Sequence, residues 1–98
     1  MKSLDSLEKL KEAILSFLGS DNVKILLFGS RARGDFASTS DVDVGIIPKD
    51  GFDRKKLVLL REHVEELNIP YKVEIVDFSV VSDKFKEMAL KEAVVWKD

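Results

Sequence analysis

The stretch that decides the fold runs from Ile25 to Ile47 and reads ILLFGS RARGDFASTS DVDVGII. It opens with a short apolar run of branched residues, which is typical of a buried strand. A Gly29-Ser30 pair follows, then ten residues of mixed character, and a second apolar run begins after Asp41. The stretch therefore predicts two strands joined by a polar connecting segment that lies between the end of the first strand and the start of the second.

The polar residues of this stretch predict a site for phosphate and metal. A Gly-Ser turn before a helix presents free backbone N–H groups, which bind anions such as phosphate. Asp41 and Asp43 stand at i and i+2 of the second strand and so share a face, while Val42 points to the core. Magnesium prefers one or two carboxylates together with substrate phosphates. We therefore expect two Mg²⁺ ions and metal-assisted phosphoryl or nucleotidyl transfer at this site.

Other sites with similar patterns do not fit. The frame from Gly29 to Gly34 matches G-x-x-x-x-G, but Asp35 and Phe36 stand where a P-loop needs Lys and Ser or Thr. The Asp-x-Asp pattern lacks the glycine and glutamate that an EF-hand loop requires further on. Two solvated acids at a turn remain the plain structural alternative for Asp41 and Asp43.

Composition limits the class of protein. The 98 residues predict a single domain, residues 1–98, because they leave no room for a second core. The net charge of −2 gives no broad basic surface, so direct binding of nucleic acid is not expected. The absence of cysteine excludes disulfides and thiolate zinc sites. With no signal peptide and no apolar run of membrane-span length, we expect a cytoplasmic protein that does not bind membranes.

Helices and strands alternate along the chain. Leucine and isoleucine recur at helical spacing up to Leu18, with Ser3 or Asp5 as the cap, and Asp53 is expected to cap a later helix. Helices are predicted over residues 4–18, within 29–39, over 53–67 and over 82–93, and strands over 23–28, 41–47, 71–78 and 94–96, the last at an edge. This order predicts an α/β (α+β) fold, a small mixed β-sheet with helices packed on it.

A two-metal site usually requires a third carboxylate, and two candidates remain. Glu74 and Asp77 lie on the same predicted strand at a spacing of three, so they face opposite sides of the sheet and at most one can join the pair. Asp77 stands at the end of the strand, where a turn or capping role is natural, so Glu74 is favoured. Arg31 and Arg33 are candidates for phosphate binding, although one of them is expected to be a plain surface charge.

The segment from Gly29 to Gly34, followed by Ser40-Asp41-Val42-Asp43, resembles the signature of minimal nucleotidyltransferases (MNT) of the DNA polymerase beta-like superfamily. The resemblance covers nearly the whole chain and implies the nucleotidyltransferase fold. The family often has Asp where this chain has Glu74. The site residues expected on this basis are Asp41, Asp43 and Glu74 as catalytic residues and metal ligands, and Gly29, Ser30, Arg31, Arg33 and Ser40 as nucleotide-binding residues.

The resemblance also implies a partner. MntA-type proteins of HEPN/MNT toxin–antitoxin modules resemble protein adenylyltransferases that use ATP and Mg²⁺ to modify a tyrosine of the HEPN toxin. The chain is therefore expected to be such an antitoxin and to form homo- or hetero-oligomers. Two alternatives stay open, namely an idle antitoxin that acts by contact and a nucleotidyltransferase for a small molecule. Because we expect a single domain with no second one to hold an acceptor, the acceptor is expected to be small or to bring its own surface.

Overall fold

The computed structural model describes residues 6–34 and 41–98. The elements in chain order are α1 (Ser6–Leu18), β1 (Val23–Phe28), α2 (Ser30–Arg33), β2 (Val42–Pro48), α3 (Lys56–Glu65), β3 (Val73–Asp77), α4 (Asp83–Lys91) and β4 (Val94–Lys97). Ser82 caps α4 by accepting a hydrogen bond at Oγ from the backbone N–H of Phe85, 3.1 Å away. Among the described residues, no helix has both the length and the apolar composition needed to cross a membrane.

The strands form one four-stranded mixed sheet in the order β3-β2-β1-β4. Strand β1 pairs antiparallel with both β2 and β4, whereas β2 pairs parallel with β3. The connection through α3 allows this parallel pairing, because parallel neighbours need a crossover rather than a tight turn. The predicted mixed sheet with packed helices is confirmed, and β4 is the edge strand that the C-terminal apolar residues predicted.

One face of the sheet packs against α1 and α3 and forms the main core. Alternate residues of β1 and β2 point to this face, as the period of two in a strand requires. Helices α1 and α3 contribute their apolar stripes. The buried members of this core are Leu10, Ile14, Leu18, Val23, Ile25, Leu27, Val42, Val44, Ile46, Leu57, Leu60, Val64 and Ile75.

The opposite face carries a smaller apolar cluster, built on Leu26, Phe28 and Phe78. Gly45 lies beneath it, and a Cβ there would stand 2.8 Å from Leu26 Cδ1 and 2.8 Å from Phe78 Cζ. Helix α4 touches this cluster through Ala89, yet all its residues keep solvent-exposed surface. This face is therefore only partly covered, and the residues proposed for chemistry lie on it.

Some predicted boundaries are wrong. Strand β2 begins at Val42, whose N–H donates to the Lys72 carbonyl at 2.9 Å, so Asp41 lies just before the strand and not within it. Helix α3 begins at Lys56, and Asp53 instead accepts the Lys55 N–H at 3.0 Å in the preceding turn. The proposed caps Ser3 and Asp5 lie outside the described residues.

Candidate active site

The turn after β1 adopts a conformation that only glycine tolerates. Gly29 has φ 79° and ψ −157°, a region that side chains exclude. The chain then enters the single-turn helix α2, in which Ala32 N–H donates to the Gly29 carbonyl at 3.1 Å and Gly34 N–H to the Ser30 carbonyl at 3.0 Å. The predicted turn and short helix are therefore present, with Ser30 as the first helical residue.

Position 29 must also be glycine for a steric reason, which links the turn to β2. A Cβ on Gly29 would collide with Asp43 Oδ2 and lie 3.3 Å from Asp43 Cγ. The carboxylate of Asp43 thus lies directly over the glycine backbone. The Gly-Ser turn and the Asp-x-Asp pattern, which are separated in sequence, are in direct contact in the fold.

Three side chains form a row across three strands on the partly covered face. Phe28 of β1 is the register partner of Asp43 in β2, and Asp43 is the register partner of Glu74 in β3. Register partners on neighbouring strands share a face and lie about 5 Å apart. The row therefore places an aromatic ring, a carboxylate and a second carboxylate side by side, next to the Gly29 turn.

The acidic neighbours perturb Asp43. Burial raises the pKa of its carboxyl, and the nearby charges of Glu74 and Asp41 raise the pKa further. Such a group of like charges is relieved by a bound cation, and carboxylate oxygens are the donors that Mg²⁺ prefers. The donor set fits a divalent metal, although the side chains of residues 6–34 and 41–98 include no ready-made group of three ligands.

Glu74 has a competing partner. Lys72 Nζ lies 3.2 Å from Glu74 Oε1, and both side chains are exposed. An exposed ion pair of this kind contributes little to stability and is screened by salt. Glu74 can therefore leave Lys72 for a metal at low cost.

Asp77 has a structural role instead. It is buried and accepts hydrogen bonds from Arg54 Nε at 2.7 Å, from Ser79 N–H at 2.9 Å and from Ser79 Oγ at 2.6 Å. Burial alone raises the pKa of Asp77, but the hydrogen bonds from Ser79 and Arg54 outweigh it and hold the pKa below its usual range. Its register partner is Ile46 of the main core, so Asp77 and Glu74 face opposite sides of the sheet.

Arg31 lies against an aromatic ring. The guanidinium carbon of Arg31 lies 4.6 Å from the ring centroid of Tyr71, a cation–π contact beside the main core. The side chain of Arg33 and the whole of Ser40 lie outside the described residues. Nucleotide binding by Arg31, Arg33 and Ser40 thus remains a prediction.

The family follows from comparison of this sequence with known proteins. The Polymerase beta, Nucleotidyltransferase family matches residues 8–97. The chain belongs to this family. The match includes the Gly29 turn and the acidic residues of β2 and β3, so the resemblance inferred from the signature is confirmed at family level.

Individual relatives agree with this assignment. The chain is 34% identical over 68 residues to "Probable protein adenylyltransferase MntA" of Haemophilus influenzae, covering 69% of this chain but only 60% of that relative's length. A solved structure described as a minimal nucleotidyltransferase superposes with a TM-score of 0.72 at 27% identity, covering 96% of this chain and 98% of its own. A solved complex of the tri-AMPylated Shewanella oneidensis HEPN toxin with an MNT antitoxin contains a chain that shares the fold, with a TM-score of 0.62 at 18% identity, covering 91% of this chain and 70% of that chain.

Sequence reasoning missed the basic neighbour of Glu74, because the ion pair with Lys72 was not predicted. It also did not place Phe28 next to Asp43, although Phe28 directly precedes Gly29 at the end of β1. For Lys72 no local signal distinguishes it from the other surface lysines.

Proposed function

We propose that the chain transfers AMP from ATP to a hydroxyl group of a partner protein. The observation that carries the proposal is the register pairing of Asp43 with Glu74 beside the Gly29 turn. This pairing brings two acidic residues beside a Gly-Ser turn at the start of a helix, a kind of turn whose backbone N–H groups can hold phosphate. Membership of the nucleotidyltransferase family supports the same chemistry.

Each residue has a distinct proposed role. Asp41, Asp43 and Glu74 are the ligands of two Mg²⁺ ions, and Gly29 and Ser30 hold the triphosphate through backbone N–H groups and the Ser30 hydroxyl. The metal, when bound, offsets the negative charge of the phosphates and of the leaving pyrophosphate. Further nucleotide contacts are assigned to Arg31, Arg33 and Ser40.

The reaction is an in-line displacement at the α-phosphorus of ATP. The acceptor oxygen forms a new bond to that phosphorus, the bond to the oxygen bridging the α- and β-phosphates breaks, and pyrophosphate leaves. The proton of the acceptor hydroxyl is released to solvent. The Gly29 turn contributes by fixing the phosphates in position, which removes much of the entropic part of the barrier.

The proposed acceptor is a tyrosine of a HEPN-type toxin. Support comes from the relatives, since one is named a protein adenylyltransferase and another was solved with an AMPylated HEPN toxin. A contact antitoxin is the second candidate. It is favoured by the exposed apolar side chains of α4 and β4, among them Met88 and Val95, which could bind a partner without chemistry.

Intact-mass measurement of a cognate HEPN protein distinguishes these functions. After incubation with the chain, ATP and Mg²⁺, the toxin should gain the mass of one or more AMP units and lose ribonuclease activity. The matched control is the chain with Asp41→Asn and Asp43→Asn, which should leave the toxin's mass unchanged. Neutralisation of the toxin by the wild-type chain without a change in mass would establish the contact antitoxin and remove the enzymatic proposal.

A further inference from the structure

A cavity of about 500 Å³ adjoins the Gly29 turn. One wall is the end of β1, formed by Phe28 and Gly29, and the other is a face of α4 that includes Phe85 and Met88. Ala89, Lys91 and Glu92 complete the described lining. The volume lies in the range of small-molecule sites in proteins.

The cavity opens on the same face of the sheet as the acidic residues. Phe28, which lines it, is the register partner of Asp43, and Gly29 lies directly against the Asp43 carboxylate. A nucleotide whose phosphates lie at the Gly29 turn would therefore have this cavity within reach of its remaining groups.

The cavity's walls are chemically suited to a flat aromatic ring. The rings of Phe28 and Phe85 are 5.9 Å apart and nearly perpendicular, and the flexible thioether of Met88 lies on the same helix. Phe85 is 43% exposed and Met88 62% exposed, so both have apolar surface available to a ligand. Rings stack well on phenylalanine, and methionine sulfur makes favourable contacts with them.

A second cavity, of about 390 Å³, fits this role less well. It lies between α3 and β3 and is lined by Val64 and Ile75 of the main core. It includes Glu74, but its described lining does not include Phe28 or Gly29. It therefore lacks contact with the turn proposed to hold the phosphates.

We propose that the cavity between β1 and α4 receives the purine base of the nucleotide, which stacks on Phe85 and Met88. This inference rests on the proposed nucleotidyl transfer and adds its specificity-determining residues. Stacking tolerates any base but favours the larger purine surface. Because the charged lining side chains are limited to Lys91 and Glu92 among the described residues, ATP and GTP should bind with similar affinity and CTP and UTP more weakly.

Binding of ATP and of inorganic tripolyphosphate, each with Mg²⁺ and without acceptor, separates the base from the phosphates. Met88→Ala and Phe85→Leu should weaken ATP binding about tenfold while leaving tripolyphosphate binding unchanged. Leu90→Ala is the matched control, because Leu90 is an exposed residue of α4 outside the cavity lining. It should alter neither affinity.

A spectroscopic readout locates the base directly. The chain has two methionines, so ¹³C-methyl labelling gives a resonance for Met88 that the Met88→Leu variant assigns. ATP should shift this resonance upfield through the ring current of the purine, and tripolyphosphate should not.

Equal effects of both ligands on the Met88 resonance, or unchanged ATP affinity in both cavity variants, would overturn the base assignment while leaving the proposed function intact. Failure of both ATP and tripolyphosphate to bind the wild-type chain would overturn the proposed function, and the base assignment with it.

Discussion

Replacing Gly29 with alanine should destabilise the fold and displace the Asp43 carboxylate. The backbone at Gly29, with φ 79° and ψ −157°, costs a non-glycine residue about 1–3 kcal/mol. The new Cβ also collides with Asp43 Oδ2, and overpacking of this kind costs about 1–3 kcal/mol. The sum, about 2–6 kcal/mol, is a large part of the 5–15 kcal/mol that typically stabilises a small domain.

Urea denaturation, followed by circular dichroism, measures this loss. Gly34→Ala is the matched control, because Gly34 also has a positive φ, 83°, but a Cβ there would meet no described atom within 4 Å. The free energy of unfolding of Gly34→Ala should therefore fall only by the cost of a left-handed backbone, about 1–2 kcal/mol. Metal-dependent ATP binding should fall in Gly29→Ala and persist in Gly34→Ala.

A double-mutant cycle isolates the collision with the carboxylate. Asp43→Ala removes the two nearest atoms, Oδ2 and Cγ, and leaves the Cβ of residue 43 at 3.5 Å from the new Cβ, an ordinary contact. The coupling free energy should then be about 1–3 kcal/mol, the part due to the collision. Additive effects of the two substitutions, together with equal losses in Gly29→Ala and Gly34→Ala, would refute the argument.

Three further predictions concern the acidic residues and the sheet. Asp43→Asn should raise the melting temperature of the metal-free protein at neutral pH. The pKa of the Asp43 carboxyl is raised above its ordinary value of 3.8 in the folded state, so ionisation of this carboxyl as the pH rises lowers the stability of the fold. Added Mg²⁺ should stabilise the wild type more than this variant. Asp77→Asn should destabilise the fold by about 1–3 kcal/mol at pH 7 in urea denaturation. This loss should disappear as the pH falls through the lowered pKa of Asp77. As the contrasting variant, Glu74→Gln should keep its stability and lose Mg²⁺-dependent ATP binding. If instead Asp77→Asn abolishes ATP binding with stability intact, the third carboxylate is misassigned. Gly45→Ala should cost about 1–3 kcal/mol in the same denaturation assay, because its Cβ would lie 2.9 Å or less from the Phe78 ring; an unchanged midpoint would contradict this packing.

The apolar periodicity of the chain determined most of the fold. The span of β1 and the existence and type of the longer elements followed from that pattern, since it depends on neighbours within a few residues. Element ends were less predictable. Asp41 falls outside β2 because strand pairing begins at Val42, and Asp53 holds a turn before α3 because Lys55 takes the N-cap position. The start of β2 depends on a partner that is distant in sequence, Lys72, whereas the start of α3 depends on a local choice between turn and helix that periodicity alone does not resolve.

The sequence by itself determined which residues carry charge and where the chain can form a turn. The Gly-Ser turn, the Asp-x-Asp pair and the opposite faces of Glu74 and Asp77 all follow from local geometry. Only the tertiary structure decided how these residues meet, because the parallel register of β2 with β3 brings Glu74 beside Asp43. It also decided the role of Asp77, whose carboxylate accepts hydrogen bonds from Arg54 and Ser79. The cavity between β1 and α4 depends on the return of α4 to the sheet, 50 residues or more after Gly29, which no local pattern encodes.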